Sequence, residues 1–184
     1  MDFSTSKTEN LFLQMIREFA EKEVKPLAAA VDEEERFPEE TVKKMAALGM
    51  MGIPFPKEYG GAGGNNQLYS MAVEELSRVC ATTGVIVSAH TSLCASPIYE
   101  FGNEEQRRKY LPRLCSGEWI GAFGLTEPNA GTDASAQQTM AVKEGEHYVL
   151  NGSKIFITNA VYAHVYIVMA MTDKAQGTRG ISAF

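Results

Sequence analysis

Gly124-Leu125-Thr126-Glu127-Pro128-Asn129-Ala130-Gly131-Thr132-Asp133-Ala134-Ser135-Ala136 is the stretch on which the reading of this chain turns. An apolar run, Ile120-Gly121-Ala122-Phe123, leads into it and predicts a short buried strand. Pro128, Asn129 and Gly131 then break the pattern and force a loop. The loop holds two hydroxyls, Thr126 and Thr132, beside two small residues, Ala130 and Gly131. Small residues let a backbone approach a ligand closely, and its N–H groups can point at an anion. No Lys or Arg lies in the loop, so an anion there would be held by dipoles rather than by a charge.

Upstream of the strand the period is helical. Ser6-x-x-Glu9 is a capping box, and Leu11, Phe12, Met15, Ile16, Phe19 and Ala20 recur at helical spacing behind it. Pro26 is expected to kink or end this helix near Lys25. A second helix starts at Pro38, buries Val42, Met45, Ala46 and Leu48, and stops at Gly49. The Gly- and Pro-rich residues 52–64 lack Gly-Lys-Ser/Thr and a leading strand, so they read as a mobile connector rather than a phosphate loop. A third helix presents Leu68, Met71, Ala72, Leu76 and Val79. A fourth, over about 83–101, is apolar nearly all round and is expected to be buried. Asn103-x-x-Gln106 caps a fifth, whose Arg107, Arg108 and Lys109 form a solvated face.

Downstream the period shortens. Residues 137–142 can extend. Tyr148-Val149-Leu150 and Lys154-Ile155-Phe156-Ile157-Thr158 flank Asn151-Gly152, a strong hairpin signal. Val165-Tyr166-Ile167-Val168-Met169-Ala170 is a further strand, and Gly180-Ile181-Ser182-Ala183-Phe184 begins another. The fold class is therefore multi-domain α and β. A helical bundle over 1–117 precedes a mostly antiparallel, incomplete β-domain over 118–184, and the chain is expected to be the front half of something longer.

Composition sets outer bounds. With 45% apolar and 22% charged residues the chain falls in the soluble globular class. A net charge of -6 argues against a nucleic-acid surface. No apolar run approaches the roughly 20 residues of a membrane span. Met1-Asp2-Phe3-Ser4 shows neither a signal nor a transit pattern, so a cytoplasmic protein is the expectation, and a processed organellar matrix protein would look the same. Cys80, Cys94 and Cys115 fit no zinc or redox spacing and read as buried free thiols. His90, His147 and His164 are scattered, so no metal site is expected.

The loop sequence resembles the signature of the acyl-CoA dehydrogenases. A second motif, Asn151-Gly152-Ser153-Lys154-Ile155-Phe156-Ile157-Thr158-Asn159, follows in the order and at a separation like that family's. The resemblance runs over essentially the whole chain and is nearest the short-chain, butyryl-CoA type. It implies FAD as cofactor and a short acyl-CoA as substrate. It also implies transfer of electrons from the product-forming step to electron-transfer flavoprotein, and a homotetramer. Carried over by motif, Phe123, Leu125 and Thr126 lie along the flavin ring. Gly131 and Thr132 sit near the FAD pyrophosphate and the acyl-CoA. Phe156 packs on the ring, where many relatives have Trp, and the Thr158 hydroxyl meets N5. Ser88, Leu93 and Ile98 of the fourth helix are the candidates for the acyl pocket, together with Thr132 for the substrate.

The family's catalytic base is a Glu of a later helical domain, absent from this sequence, so the catalytic residue is left unknown. Glu127, beside Pro128, reads as a loop-fixing residue, and of Glu74 and Glu75 on the third helix one reads as solvated and the other as paired. Two other readings stay open. The scaffold could run in reverse as an enoyl-CoA reductase, or serve as a non-catalytic binding or assembly protein.

Overall fold

The structure, a computed structural model, describes residues 4–184; the reading of Met1-Asp2-Phe3 lies outside them. Helix α1 (Lys7–Phe19) opens on Ser6, whose hydroxyl accepts the Glu9 N–H while the Glu9 carboxylate accepts the Ser6 N–H. It buries Ile16 and Phe19 but leaves Leu11 exposed. Pro26 does not end the helix. Residues Ala20–Val24 widen into a π-turn, in which the Lys25 N–H reaches back to the Ala20 carbonyl, and α2 (Lys25–Glu33) then begins with Pro26 in its first turn. Proline has no N–H to continue the i to i−4 ladder, and the widened turn just before it accommodates that loss. Helix α3 (Glu39–Ala47) follows Pro38, and Gly49 closes it at φ 73°.

Residues 52–64 are not a loose connector. The N–H groups of Ala62, Gly63 and Gly64 donate to the carbonyls of Gly52, Phe55 and Ile53, each at 2.9 Å. Phe55 and Tyr59 are buried beneath, and a Cβ at Gly61 would lie 2.1 Å from the Phe55 carbonyl oxygen. The glycines here allow backbone to pack on backbone.

Helix α4 (Asn66–Val79) buries Leu68, Ala72 and Leu76. The fourth helix expected from the sequence is three pieces: α5 (Ala81–Ser88), a π-helical stretch Ala89–Ala95, and α6 (Ser96–Phe101). Nor is it buried all round, since Val85, Leu93 and Phe101 are exposed. Helix α7 (Glu104–Cys115) starts at the Asn103–Gln106 capping box. One core cluster gathers Ile16, Met45, Met50, Met51, Leu76 and Val87. A second, with Phe55, Cys94, Ile98, Leu111 and Leu114, carries Val165 and Ile167 on its edge and so joins helices to sheet.

The sheet is mixed, which corrects the mostly antiparallel expectation. Strand β1 (Gly121–Gly124) runs parallel to β4 (Val165–Met171). Strands β2 (Met140–Glu144) and β3 (His147–Asn151) form an antiparallel hairpin, β2 meets β4 in parallel at Met171, and β5 (Ile181–Ala183) returns antiparallel to β4. Parallel neighbours need a long crossover, and residues 125–164 supply it. The hairpin also lies one step earlier than the Asn151-Gly152 signal. Its turn is at Gly145, φ 62°, while Asn151 is still paired with Met140. Gly152 has no positive φ; it is small because a Cβ there would lie 2.6 Å from the Thr139 Cα. Residues 152–158 form no strand.

Strand β1 lies directly on the π-helical stretch. A Cβ at Gly121 would come within 2.5 Å of the Cys94 Cβ and 2.6 Å of its Sγ. Gly121→Ala should therefore destabilise the fold by about 1–3 kcal/mol through overpacking, whereas Gly131→Ala, with open space around it, should change stability by less than about 0.5 kcal/mol. Denaturant unfolding of the two variants checks this.

Candidate functional site

The C-terminal end of β1 opens into a cleft of about 290 Å³ lined by Ala89, Leu93, Phe123, Leu125, Thr126, Phe156, Ile157 and Thr158. Two motifs remote in sequence thus meet on one surface, with the π-helical stretch as its third side. Of the candidate residues, the cleft unites Phe123, Leu125, Thr126, Phe156, Thr158 and Leu93. It does not bring in the others. Gly131 and Thr132 lie on the exposed loop outside the lining. Ser88 is half-buried just before Ala89, its carbonyl accepting from the Tyr69 and Ser92 hydroxyls at 3.2 and 2.7 Å. Ile98 faces a different groove, beside Tyr110, Val165 and Ile167.

The cleft is apolar with a few free polar groups. Among the described residues neither the Thr126 and Thr158 hydroxyls nor their backbone N–H groups have a hydrogen-bond partner. Phe156 has φ 57° and is 89% exposed. A bulky side chain in the left-handed region is uncommon and costs on the order of 1–3 kcal/mol. The turn is nonetheless fixed on both sides of it. The Ile155 N–H donates to the Thr126 carbonyl at 2.9 Å. The Asn159 amide donates to the carbonyls of Ile86 and Gly121 at 3.2 and 3.0 Å, tying the turn to α5 and to β1.

Beneath the turn lies an ion pair. Lys154 Nζ donates to Glu127 Oε1 at 2.8 Å, to the Leu125 carbonyl at 2.9 Å and to Gln137 Oε1 at 3.1 Å. Glu127 also accepts the N–H groups of Gln138 and Thr139 at 2.6 and 2.9 Å. Burial alone would raise the Glu127 carboxyl. The hydrogen bonds from the Gln138 N–H, Lys154 and Thr139 outweigh it and hold the pKa at about 2.

His90, in the π-helical stretch, is fully buried. Its Nδ1 accepts the Gly121 N–H at 3.0 Å, which leaves Nε2–H to donate to the Leu114 carbonyl at 3.1 Å. Burial pushes its pKa down to about 4, against the pull of its carbonyl acceptors.

Sequence reasoning missed Lys154, Asn159, His90 and Ala89 as builders of this site. Only Lys154 carried a signal, as the one cation between the apolar residues of the second motif, and its partner Glu127 stands 27 residues away.

Removing one partner of a buried pair leaves an uncompensated charge. Lys154→Met should cost about 3–5 kcal/mol, and adding Glu127→Gln should recover most of it; chemical denaturation reads both. The pH dependence has a definite sign. Both folded pKa values are depressed, so each group contributes stability that is full above its ordinary value and lost as pH falls. For His90 the window is about 6.5 to 4, and for Glu127 about 4.5 to 2. Each spans roughly 3 kcal/mol at about 1.36 kcal/mol per pH unit. His90→Gln should flatten the upper window and Glu127→Gln the lower, as measured by unfolding across pH.

Residues 6–118 match the family model described as acyl-CoA dehydrogenase, N-terminal domain, and residues 122–184 that of acyl-CoA dehydrogenase, middle domain. The chain is 67% identical over 184 residues to the short-chain specific acyl-CoA dehydrogenase of Clostridium acetobutylicum, all of this chain against 48% of that one. The butyryl-CoA dehydrogenase structure from Megasphaera elsdenii superposes with a TM-score of 0.95 at 47% identity, covering 100% of this chain and 49% of that one. A chain from a structure described as the electron transferring flavoprotein of Acidaminococcus fermentans superposes with a TM-score of 0.96 at 53% identity, covering 100% of this chain and 48% of that one. The chain spans about half the length of the curated relatives it matches. It belongs to the acyl-CoA dehydrogenase family, a family of FAD-dependent oxidoreductases.

Proposed function

We propose that the protein carrying this chain dehydrogenates a short-chain acyl-CoA to the trans-2-enoyl-CoA and passes the electrons to an electron-transferring flavoprotein. One observation carries the reading. Leu125, Thr126, Phe156 and Thr158, drawn from two separate motifs, converge on one apolar cleft with unpartnered hydroxyls and an exposed aromatic ring. That donor set suits a planar ring with one polar edge. The 67% identity to a short-chain specific relative favours an acyl group of about four carbons.

When bound, FAD supplies the acceptor for the hydride. The chain's own residues bind and orient it. Phe123, Leu125 and Phe156 give apolar contact to the ring. The Thr126 and Thr158 hydroxyls and N–H groups donate to its polar edge, where preorganised dipoles stabilise negative charge without reorganising. Gly131 and Thr132 offer open backbone to the pyrophosphate and to the CoA. Ala89 and Leu93 border the acyl end, with Ser88 and Ile98 as its more remote neighbours. The division of labour follows residues 1–117 as a helical domain and 118–184 as part of a β-domain.

Among the described residues no carboxylate lines the cleft. Glu127 is held ionised by Lys154, and Glu75 is paired with Arg17 and Arg78. A base must come within hydrogen-bond reach of the proton it removes. The described residues of the cleft offer no such group, and the residue that takes the substrate's proton is left unassigned. A homotetramer in the cytoplasm completes the reading, with a processed organellar matrix protein as the alternative compartment.

The test is anaerobic addition of butyryl-CoA to the FAD-loaded protein expressed from its natural gene. Loss of the flavin's visible absorbance is expected; retained FAD that no short acyl-CoA bleaches would overturn the reading. The 184-residue chain by itself should turn over no substrate. Thr158→Val should slow bleaching about tenfold to a hundredfold, the loss of one hydrogen bond of about 1.5–3 kcal/mol to a charged group, and Phe156→Ala should weaken FAD retention.

A further inference from the structure

Lys154 lies outside the cleft, yet one of its three donors goes to a residue that lines it. The Glu127 bond completes an ion pair and the Gln137 bond satisfies a neutral acceptor. The third bond, 2.9 Å to the Leu125 carbonyl, places a buried ammonium on the peptide unit that joins Leu125 to Thr126. The Leu125–Thr126 peptide is trans, so the Thr126 N–H points away from the side on which Lys154 sits. That N–H has no partner among the described residues, and Thr126 lines the cleft.

We infer that Lys154 is a positioning residue for the flavin that polarises the Leu125–Thr126 peptide and so strengthens the Thr126 N–H as a donor into the cleft. The inference rests on the reading of this cleft as the flavin site. A hydrogen bond from an ionised donor is roughly twice as strong as a neutral one. Linked hydrogen bonds strengthen each other by about 10–30% per bond. The ammonium draws electron density onto the Leu125 oxygen, and the amide proton at the other end of the same peptide becomes more positive. Glu127, 2.8 Å from the same ammonium, offsets part of this, and the direct hydrogen bond to the Leu125 oxygen keeps the remainder. Glu127 and Gln137 also take up the two remaining donors, which leaves the ammonium a single geometry. A stronger donor at Thr126 favours whichever state of the ligand carries more negative charge. For a flavin that is the reduced state.

The same network orders the walls. Lys154 is two residues before Phe156 and four before Thr158, and it fastens their turn to the loop that carries Leu125 and Thr126. A purely structural clasp would hold oxidised and reduced ligand alike. Polarisation would not, and this difference separates the two roles.

The experiment compares wild type, Lys154→Arg and the double variant Lys154→Met with Glu127→Gln, each in the protein expressed from its natural gene. The double variant removes the cation without stranding the carboxylate. The readouts are the midpoint potential of the bound FAD and the affinity for oxidised FAD. The double variant should retain oxidised FAD and lose about threefold in its preference for the reduced form, a potential about 14 mV more negative for a two-electron couple. Lys154→Arg, which keeps a charged donor, should shift in the same direction by less. A double variant that holds FAD at the wild-type potential overturns the inference and leaves the flavin site standing. Wild-type protein that takes up no FAD overturns both.

Discussion

The architecture depends on how closely one strand lies on one helix. Gly121 of β1 rests against Cys94 at a distance that no Cβ could share, and its two backbone polar groups are both taken by side chains from outside the sheet. The N–H goes to His90 and the carbonyl to Asn159. A buried backbone group without a partner costs free energy comparable to a lost hydrogen bond. The strand can therefore sink into the helical layer only because these two side chains replace the partners that a sheet neighbour would give. The π-helical stretch is part of the same solution. It carries His90 and Cys94 under β1 and Ala89 and Leu93 into the cleft. A widened turn changes which residues share a face, and π-bulges often occur at functional sites for that reason.

Above that contact the cleft is shaped by alternation along one short segment. Lys154 goes inward to Glu127, Phe156 goes outward, and Thr158 meets the cleft. Residues two apart would lie on the same side in an extended strand. The left-handed backbone at Phe156 breaks that rule and lets a buried cation and an exposed ring coexist two positions apart. The strain is offset by the bonds that fix its neighbours, Ile155 to the loop carbonyl and Asn159 to α5 and β1.

Much of this was legible in the sequence because it is local. The capping boxes at Ser6 and Asn103 each close within three residues, and both form as read. The β4 strand announced itself as a continuous apolar run. Misreadings arose where a local signal had a distant cause. Asn151-Gly152 looks like a hairpin turn, but its glycine answers to Thr139 across the sheet, and the chain turns instead at Gly145. The glycines of residues 52–64 suggested mobility, but they serve backbone contact with Phe55 and Ile53. The parallel pairing of β1 with β4 was out of reach, since it is set by a crossover of some 40 residues that no window spans. In the site, the lining residues of the two motifs were legible through resemblance. Their supports were not, because Lys154 and Glu127, or His90 and Gly121, become partners only after folding.

The same distinction explains why the cleft is open on one side. Phe156 is 89% exposed, and Phe101 and Val161 are exposed to the same degree. Burying a phenylalanine stabilises by about 1.5–3 kcal/mol, so a backbone strained to keep one exposed gives up stability twice, once in conformation and once in solvation. That expenditure is reasonable only where the ring's partner is not part of this chain. The apolar lining and free hydroxyls suit a partner surface that is apolar with hydrogen-bond acceptors at one edge. Among the described residues the lining holds no carboxylate. Glu127, the one buried acid among the described residues, is locked to Lys154 and to two backbone N–H groups, so it stays a fixed part of the wall rather than a free proton acceptor.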